Sequence, residues 1–207
     1  KKVVKSWKNI TYKKKKMKTF LKLVAILIIN INLFANDFDL AMEEYNKSNY
    51  TEAMKLFQKS CDSGNNDGCN NIGLLYVQGK GISQDYSKAI EQFQKACDGG
   101  NGSGCFNLGI IYEKGKGINQ DYTKAIEVYK KACDNGNYSG CYNLGTMYEE
   151  NKGIKQDYLK IVELYQKACD GGIENGCNNL GLIYYDGKVV KKDDGKAREL
   201  YEKACNK

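Results

Sequence analysis

The chain has 207 residues with no histidine, 32 Lys and Arg against 25 Asp and Glu, and a formal charge of +7. Without histidine, neither a Ser-His-Asp triad nor a histidine-rich zinc site can form. Residues 1–35 hold ten lysines and no acid, so residues 36–207 carry −3, and the electrostatic footprint of a nucleic-acid or anionic-membrane binder is missing from them.

Lys1 to Lys16 contain eight lysines and precede Met17, the residue that reads as the start; residues 1–16 are expected to be a non-native upstream extension. Met17-Lys18-Thr19-Phe20-Leu21-Lys22 then opens a basic segment, Leu23 to Leu33 is apolar apart from Asn30 and Asn32, and Leu33-Phe34-Ala35 has the form of a small-residue cleavage site. Residues 17–35 are therefore expected to be a signal peptide cleaved after Ala35. The apolar run falls short of the about 20 residues of a membrane span, so the mature product is expected to be secreted or periplasmic, with no stable span.

Residues 36–207 form one domain in which cysteine sets the period. Cys61, Cys97, Cys133, Cys169 and Cys205 recur every 36 residues, and Cys69, Cys105, Cys141 and Cys177 form a second series eight residues behind. A period between about 20 and 50 residues marks stacked repeats that bury their apolar faces only against neighbours. A first hairpin (37–61) made of Phe38–Lys47 and Tyr50–Cys61 has a loop five residues shorter than the others, and four 36-residue units follow from about 66 to 205. The predicted fold is all-α, an α/α solenoid of five helical hairpins.

In each unit the first helix carries a stripe such as Cys69, Ile72, Gly73 and Tyr76, and the second a stripe such as Ala89, Ile90, Phe93 and Ala96, both at the three- and four-residue steps of a helix face. Asp85, Asp121, Asp157 and Asp193 stand where each second helix starts and are suited to cap it. Gly79-Lys80-Gly81 and Gly115-Lys116-Gly117 neither continue as G-x-G-x-x-G nor follow a strand, so they read as helix ends and turns, not phosphate loops. In the third of the four units Asn151 replaces the glycine of the turn and Ile161 the small alanine, which predicts looser packing or a different turn. In the last, Val189 replaces Gly81 and Gly117, and Asp194 replaces tyrosine, as in a cap.

The eight-residue offset places two thiols at the facing ends of consecutive helices, because the glycines between them end the first helix. The expected disulfides are Cys61–Cys69, Cys97–Cys105, Cys133–Cys141 and Cys169–Cys177, which implies an exporting pathway. A metal site would show closely spaced cysteine pairs, often with histidine, so no metal or other cofactor is expected. Cys205 has no partner eight residues on; a free thiol, an intermolecular link and a truncated repeat all fit it.

Leu108-Gly109-Ile110-Ile111-Tyr112, Gly115-Lys116-Gly117-Ile118, Asp121-Tyr122, Lys124-Ala125 and Lys131-Ala132-Cys133 resemble the Sel-one-like repeat, a relative of the tetratricopeptide repeat. With the C-x7-C pairs and the leader, the chain resembles the Helicobacter-type cysteine-rich protein family over Phe38 to Lys207, the first hairpin looking like a tetratricopeptide cap. The resemblance implies an exported binding protein, in some members a penicillin-binding protein or weak β-lactamase, and more generally an interaction scaffold. The residues do not supply the enzyme: there is no S-x-x-K tetrapeptide, no catalytic constellation and no nominated nucleophile.

In solenoids of this kind the first helices line a concave groove. Asn71, Asn107, Asn143 and Asn179 repeat there at one register, flanked by the variable Asn70, Phe106, Tyr142 and Asn178, with Leu74, Ile110, Thr146 and Leu182 as floor. Asparagine is a mediocre helix former, so four copies in mid-helix ask for a reason. Either each grips the backbone or carboxylate of a ligand, as the resemblance implies, or each bonds the neighbouring repeat and sets the superhelix; likewise Phe106 and Tyr142 either anchor a ligand or cover apolar surface between repeats. The expected guest is a peptide or β-lactam-like small molecule bound by this groove, the alternative a partner protein on a non-enzymatic scaffold.

Overall fold

The computed structural model describes residues 37–205 together with Met17 and Lys22; the expectations for residues 1–16 and for the leader and its cleavage site otherwise lie outside the described residues. Residues 37–205 are helices joined by short loops, with no strand among them. In chain order they are α1 (37–46), α2 (Tyr50–Asp62), α3 (Asn66–Gln78), α4 (Tyr86–Asp98), α5 (Gly102–Lys114), α6 (Tyr122–Asp134), α7 (Tyr138–Glu149), α8 (Tyr158–Asp170), α9 (Glu174–Asp186) and α10 (Asp194–Cys205). From α2 onward each helix packs on the next, and first helices also meet along the array, α3 on α5 and α5 on α7. The expected all-α hairpin array is the observed fold.

Local chemistry places the helix ends. The carboxylates of Asp85, Asp121, Asp157 and Asp193 accept hydrogen bonds from the backbone N–H groups of Lys88, Lys124, Lys160 and Lys196, satisfying donors that the first helical turn leaves unpaired. Asn65, Asn101 and Asn137 do the same for α3, α5 and α7, whereas Ile173 before α9 offers no side-chain cap. Gly79, Gly115 and Gly187 end first helices in the left-handed conformation. At the equivalent place Asn151 takes φ 54° and its side-chain oxygen accepts from the Gln156 N–H at 2.9 Å, while α7 stops a residue early. Of the two differences expected in this unit, the altered turn is present. Ile161, only 2 % exposed, is fully packed.

Each of the four hairpins after the first is held by a ring seated on a glycine. The second helices present Phe93, Tyr129, Tyr165 and Tyr201, and a Cβ added to Gly73, Gly109, Gly145 or Gly181 on the facing first helix would lie 2.5, 2.4, 2.7 or 2.8 Å from the ring. The ring thus occupies the space a side chain would take, and the two backbones approach more closely than any larger residue permits. Nearer the helix starts Gly104, Gly140 and Gly176 pack on Ala96, Ala132 and Ala168 by the same logic. The first hairpin has Ser60 at that alanine position, fully buried, with no hydrogen-bond partner for its hydroxyl among the described residues.

The four expected disulfides are present, with Cα–Cα distances of 4.8, 4.5, 4.6 and 4.5 Å. Each ties the last turn of a second helix to the first turn of the next first helix, so it bridges two repeats. Closing so short a loop contributes about 2.5 kcal/mol by restricting the unfolded chain. Exposed ion pairs reinforce the same junctions: Lys95–Asp62 at 3.3 Å, Lys131–Asp98 at 3.5 Å and Lys203–Asp170 at 2.7 Å. Pairs this exposed contribute at most about 1 kcal/mol each. Cys205 carries an exposed free thiol.

Candidate functional site

The predicted asparagines fall at one register on α3, α5, α7 and α9, all half-buried, but their partners differ. The Asn71 amide donates to the Asp67 carbonyl at 2.9 Å, within its own helix. That of Asn107 donates across the repeat boundary to the side-chain oxygen of Asn70 at 2.9 Å, so one ladder residue meets one of its variable neighbours directly. Asn143 and Asn179 instead lie beside the hydroxyls of Tyr129 and Tyr165.

Those hydroxyls belong to a unit that the sequence reading missed. The Tyr129 hydroxyl donates to Glu113 at 2.7 Å, and the Tyr165 hydroxyl donates to Glu149 at 2.5 Å. Glu113, Tyr129 and Asn143 come from α5, α6 and α7; Glu149, Tyr165 and Asn179 are the same triplet 36 residues on, from α7, α8 and α9. A carboxylate and a phenol thereby join two neighbouring helices, with the amide of the next helix beside the phenol. The first unit has Val77 and Phe93 at the corresponding places, and Asn107, with no phenol to meet, turns to Asn70. The available signal was the coupled change from Phe93 to Tyr129 and from Val77 to Glu113.

Burial, then the Glu113 carboxylate, pushes the Tyr129 phenol far above its ordinary range, with the Asn143 amide working the other way. Burial and Glu149 act alike on Tyr165, where the opposing amide is that of Asn179. Both phenols are therefore neutral donors at any physiological pH. For Glu113, burial alone would raise the carboxyl, but hydrogen bonds from Lys114 and Tyr129 outweigh it and hold it below its usual range.

The two predicted aromatic platforms are half-buried and lean on the same tyrosines: the Phe106 ring lies 6.0 Å from that of Tyr129, and the Tyr142 ring 5.8 Å from that of Tyr165. Part of each ring is thus committed to packing. Along the floor, Leu74 and Ile110 are half-buried, Thr146 donates its hydroxyl to the Asn143 carbonyl at 2.7 Å, and Leu182 is 53 % exposed. At the far end of the face Glu149, Asn179, Leu182, Ile183, Asp186, Lys188 and Val189 line an open pocket of about 220 Å³. Val189 stands where Gly81, Gly117 and Gly153 pack with positive φ against the preceding unit's tyrosine, and Tyr158, which would receive it, is 51 % exposed.

Among the described residues no helix is long and apolar enough to cross a membrane, and no three Cys, Asp or Glu side chains converge as a metal ion would need. The arrangement offers amides, half-covered rings and carboxylates along a row of helices, the groups that bind another polypeptide by hydrogen bonding and stacking.

The family model of the Sel1 repeat matches residues 46–65, 66–101, 102–137, 139–173 and 175–207. A curated relative, "Putative beta-lactamase HcpC" of Helicobacter pylori, is 42 % identical over 45 residues, 22 % of this chain and 16 % of that protein. The chain thus spans less than a fifth of the length of the curated relative it matches. Among solved structures, a Sel1 repeat protein from Oxalobacter formigenes superposes with TM-score 0.78 at 27 % identity, covering 84 % of this chain and 74 % of that one. The cysteine-rich protein B of Helicobacter pylori superposes with TM-score 0.52 at 31 % identity, covering 62 % of this chain and 92 % of that one.

Proposed function

The chain belongs to the Sel1 repeat family, and from that premise we propose that it is an interaction scaffold, working outside the reducing cytoplasm, whose first-helix face receives a segment of a partner protein. The observation that carries this reading is the asparagine register, four half-buried amides at one place on successive helices. Stacked repeats generate extended surfaces of this kind and use them to bind polypeptides. The packing of α3 on α5 and of α5 on α7, closer than that of the second helices α4 and α6, supports placing the first helices on the inner, shorter side of the array. The four disulfides support an oxidising compartment, since such bonds do not persist in a reducing one.

β-Lactam hydrolysis has weaker support. It enters through the name of a relative matched over 45 residues, and among the described residues the first-helix face holds no activated nucleophile with a base to serve it. An extended face that binds peptide also accommodates a β-lactam as a peptide mimic, without catalysis.

The test compares the oxidised protein with the double variant Asn107→Ala/Asn143→Ala and with a second-helix control, Lys88→Glu/Lys124→Glu. Partners captured from periplasmic extract are identified, remade pure and titrated against all three. Loss of at least tenfold in affinity in the amide variant, with the control unchanged, supports the scaffold reading. Equal binding by all three refutes it. Turnover of a chromogenic cephalosporin above the reduced, unfolded control, and lost in the amide variant, would replace it with the hydrolase.

A further inference from the structure

Four N-x-Ser/Thr sequences lie in the described residues: Asn46-Lys47-Ser48, Asn49-Tyr50-Thr51, Asn101-Gly102-Ser103 and Asn137-Tyr138-Ser139. This pattern is an acceptor for N-linked glycan in an exported protein, provided the segment lies on the surface and the asparagine side chain is not already engaged by the fold. We infer that Asn46 is a glycan acceptor in the folded protein and that the other three are not.

The fold separates them. Asn101 and Asn137 are helix caps: their side-chain oxygens accept from the N–H groups of Gly104 at 2.7 Å and Gly140 at 3.0 Å, and the two residues that complete each sequence are already in the first turn of α5 or α7. An enzyme would have to unwind that turn and remove the cap, which contributes about 1 kcal/mol. Asn49 donates its amide to Glu44 at 2.7 Å, and Tyr50 and Thr51 begin α2. Asn46, by contrast, is the last residue of α1, and Lys47 and Ser48 form the exposed turn that follows, Ser48 with φ 64°. No side-chain hydrogen bond engages Asn46 among the described residues. It alone of the four has a carboxylate two positions upstream, Glu44, which accepts from the Asn49 amide and the Lys47 ammonium.

In the reaction, the Asn46 Nδ2 attacks the anomeric carbon of a lipid-pyrophosphate-linked oligosaccharide. The N–C bond forms, the C–O bond to pyrophosphate breaks, the amide gives up one proton, and the lipid pyrophosphate leaves. No electrons change hands. In the cell the reaction rests on the export proposed above, so the test is done in vitro, where export plays no part. Oxidised protein and reduced, unfolded protein are each incubated with a purified bacterial oligosaccharyltransferase and lipid-linked oligosaccharide, and occupancy is mapped by mass spectrometry of glycopeptides. The expected result is one glycan on the oxidised protein, at Asn46, abolished by Asn46→Gln and retained in Asn101→Gln/Asn137→Gln. The inference is overturned if the oxidised protein is modified at Asn49, Asn101 or Asn137 at comparable occupancy. It is equally overturned if Asn46 stays bare on the folded protein, whether or not the unfolded chain accepts glycan.

Discussion

Replacing Gly109 by alanine sets two physical effects against each other. Helix propensity favours alanine in a helix interior by about 1 kcal/mol. The structure opposes it: the new Cβ would stand 2.4 Å from Tyr129 Cε1 and 2.5 Å from Cδ1, contacts that real atoms do not sustain. The ring cannot swing aside at little cost, because Tyr129 is 0 % exposed and its hydroxyl is held by Glu113 at 2.7 Å. Overpacking a close-fitted core costs about 1–3 kcal/mol, and dragging the phenol off a carboxylate costs about 1.5–3 kcal/mol more when the bond is lost outright. With partial relaxation the net is a destabilisation of about 2 kcal/mol. At an m-value of about 2 kcal/mol per molar in urea, the midpoint falls by about 1 M. Equilibrium urea unfolding followed by circular dichroism, with disulfides intact, reads this directly, and the cycle with Tyr129→Leu tests its origin: alanine at 109 is better tolerated once the ring is gone. A midpoint that rises, or holds, in Gly109→Ala would show that propensity governs the position and that the ring does not sit on the backbone.

Ser60→Ala, which restores the residue found at 96, 132 and 168 and removes a buried hydroxyl without a partner, is expected to stabilise by about 1 kcal/mol in the same urea assay. Gln92→Leu, at a position where Val128 and Leu164 stand in other units and where a buried side-chain oxygen is unpaired, is expected to act in the same direction and by a similar amount. Because Tyr129 and Tyr165 ionise far above their ordinary value in the folded state, stability is fully present below about pH 10 and falls above it, by about 1.4 kcal/mol per pH unit for each tyrosine. Tyr129→Phe/Tyr165→Phe flattens that alkaline slope in unfolding measured across pH 9 to 11. Glu113 has the opposite sign: its carboxyl is held low, so the stability it gives is present above the ordinary carboxylate range and lost as pH falls through the lowered value. Glu113→Gln therefore weakens the acid dependence of the midpoint.

The array was legible because its determinants repeat. Cysteines at a fixed offset, aspartates at each second-helix start and apolar stripes at helical spacing recur every 36 residues, and a local rule that recurs becomes a global one. The face was only half legible. Its asparagines could be placed on one register, since helical periodicity fixes direction, but their partners range from their own helix (Asp67 for Asn71) to the preceding helix (Tyr129, Tyr165) and the preceding repeat (Asn70), and depend on what those helices carry. Tyr129 reaches Glu113 and Asn143 because a hydroxyl was added to a ring whose seat was already set by Gly109; with Phe93 in that seat, Asn107 finds Asn70 instead. Three-body polar contacts of this sort have no signature in spacing alone.

The bridges also make the two rims of the array unequal under cleavage. A protease that cuts within residues 62–68, or the equivalent stretch of a later unit, leaves both halves chained by sulfur, so the nicked molecule stays whole until reductant is added. A cut at the opposite rim, between α3 and α4 or between α5 and α6, meets no such tether, and the pieces part as soon as their packing is loosened by denaturant. Nicks on one rim leave a covalently whole molecule and nicks on the other leave one held by packing alone, so resistance to wear is decided at the unbridged loops.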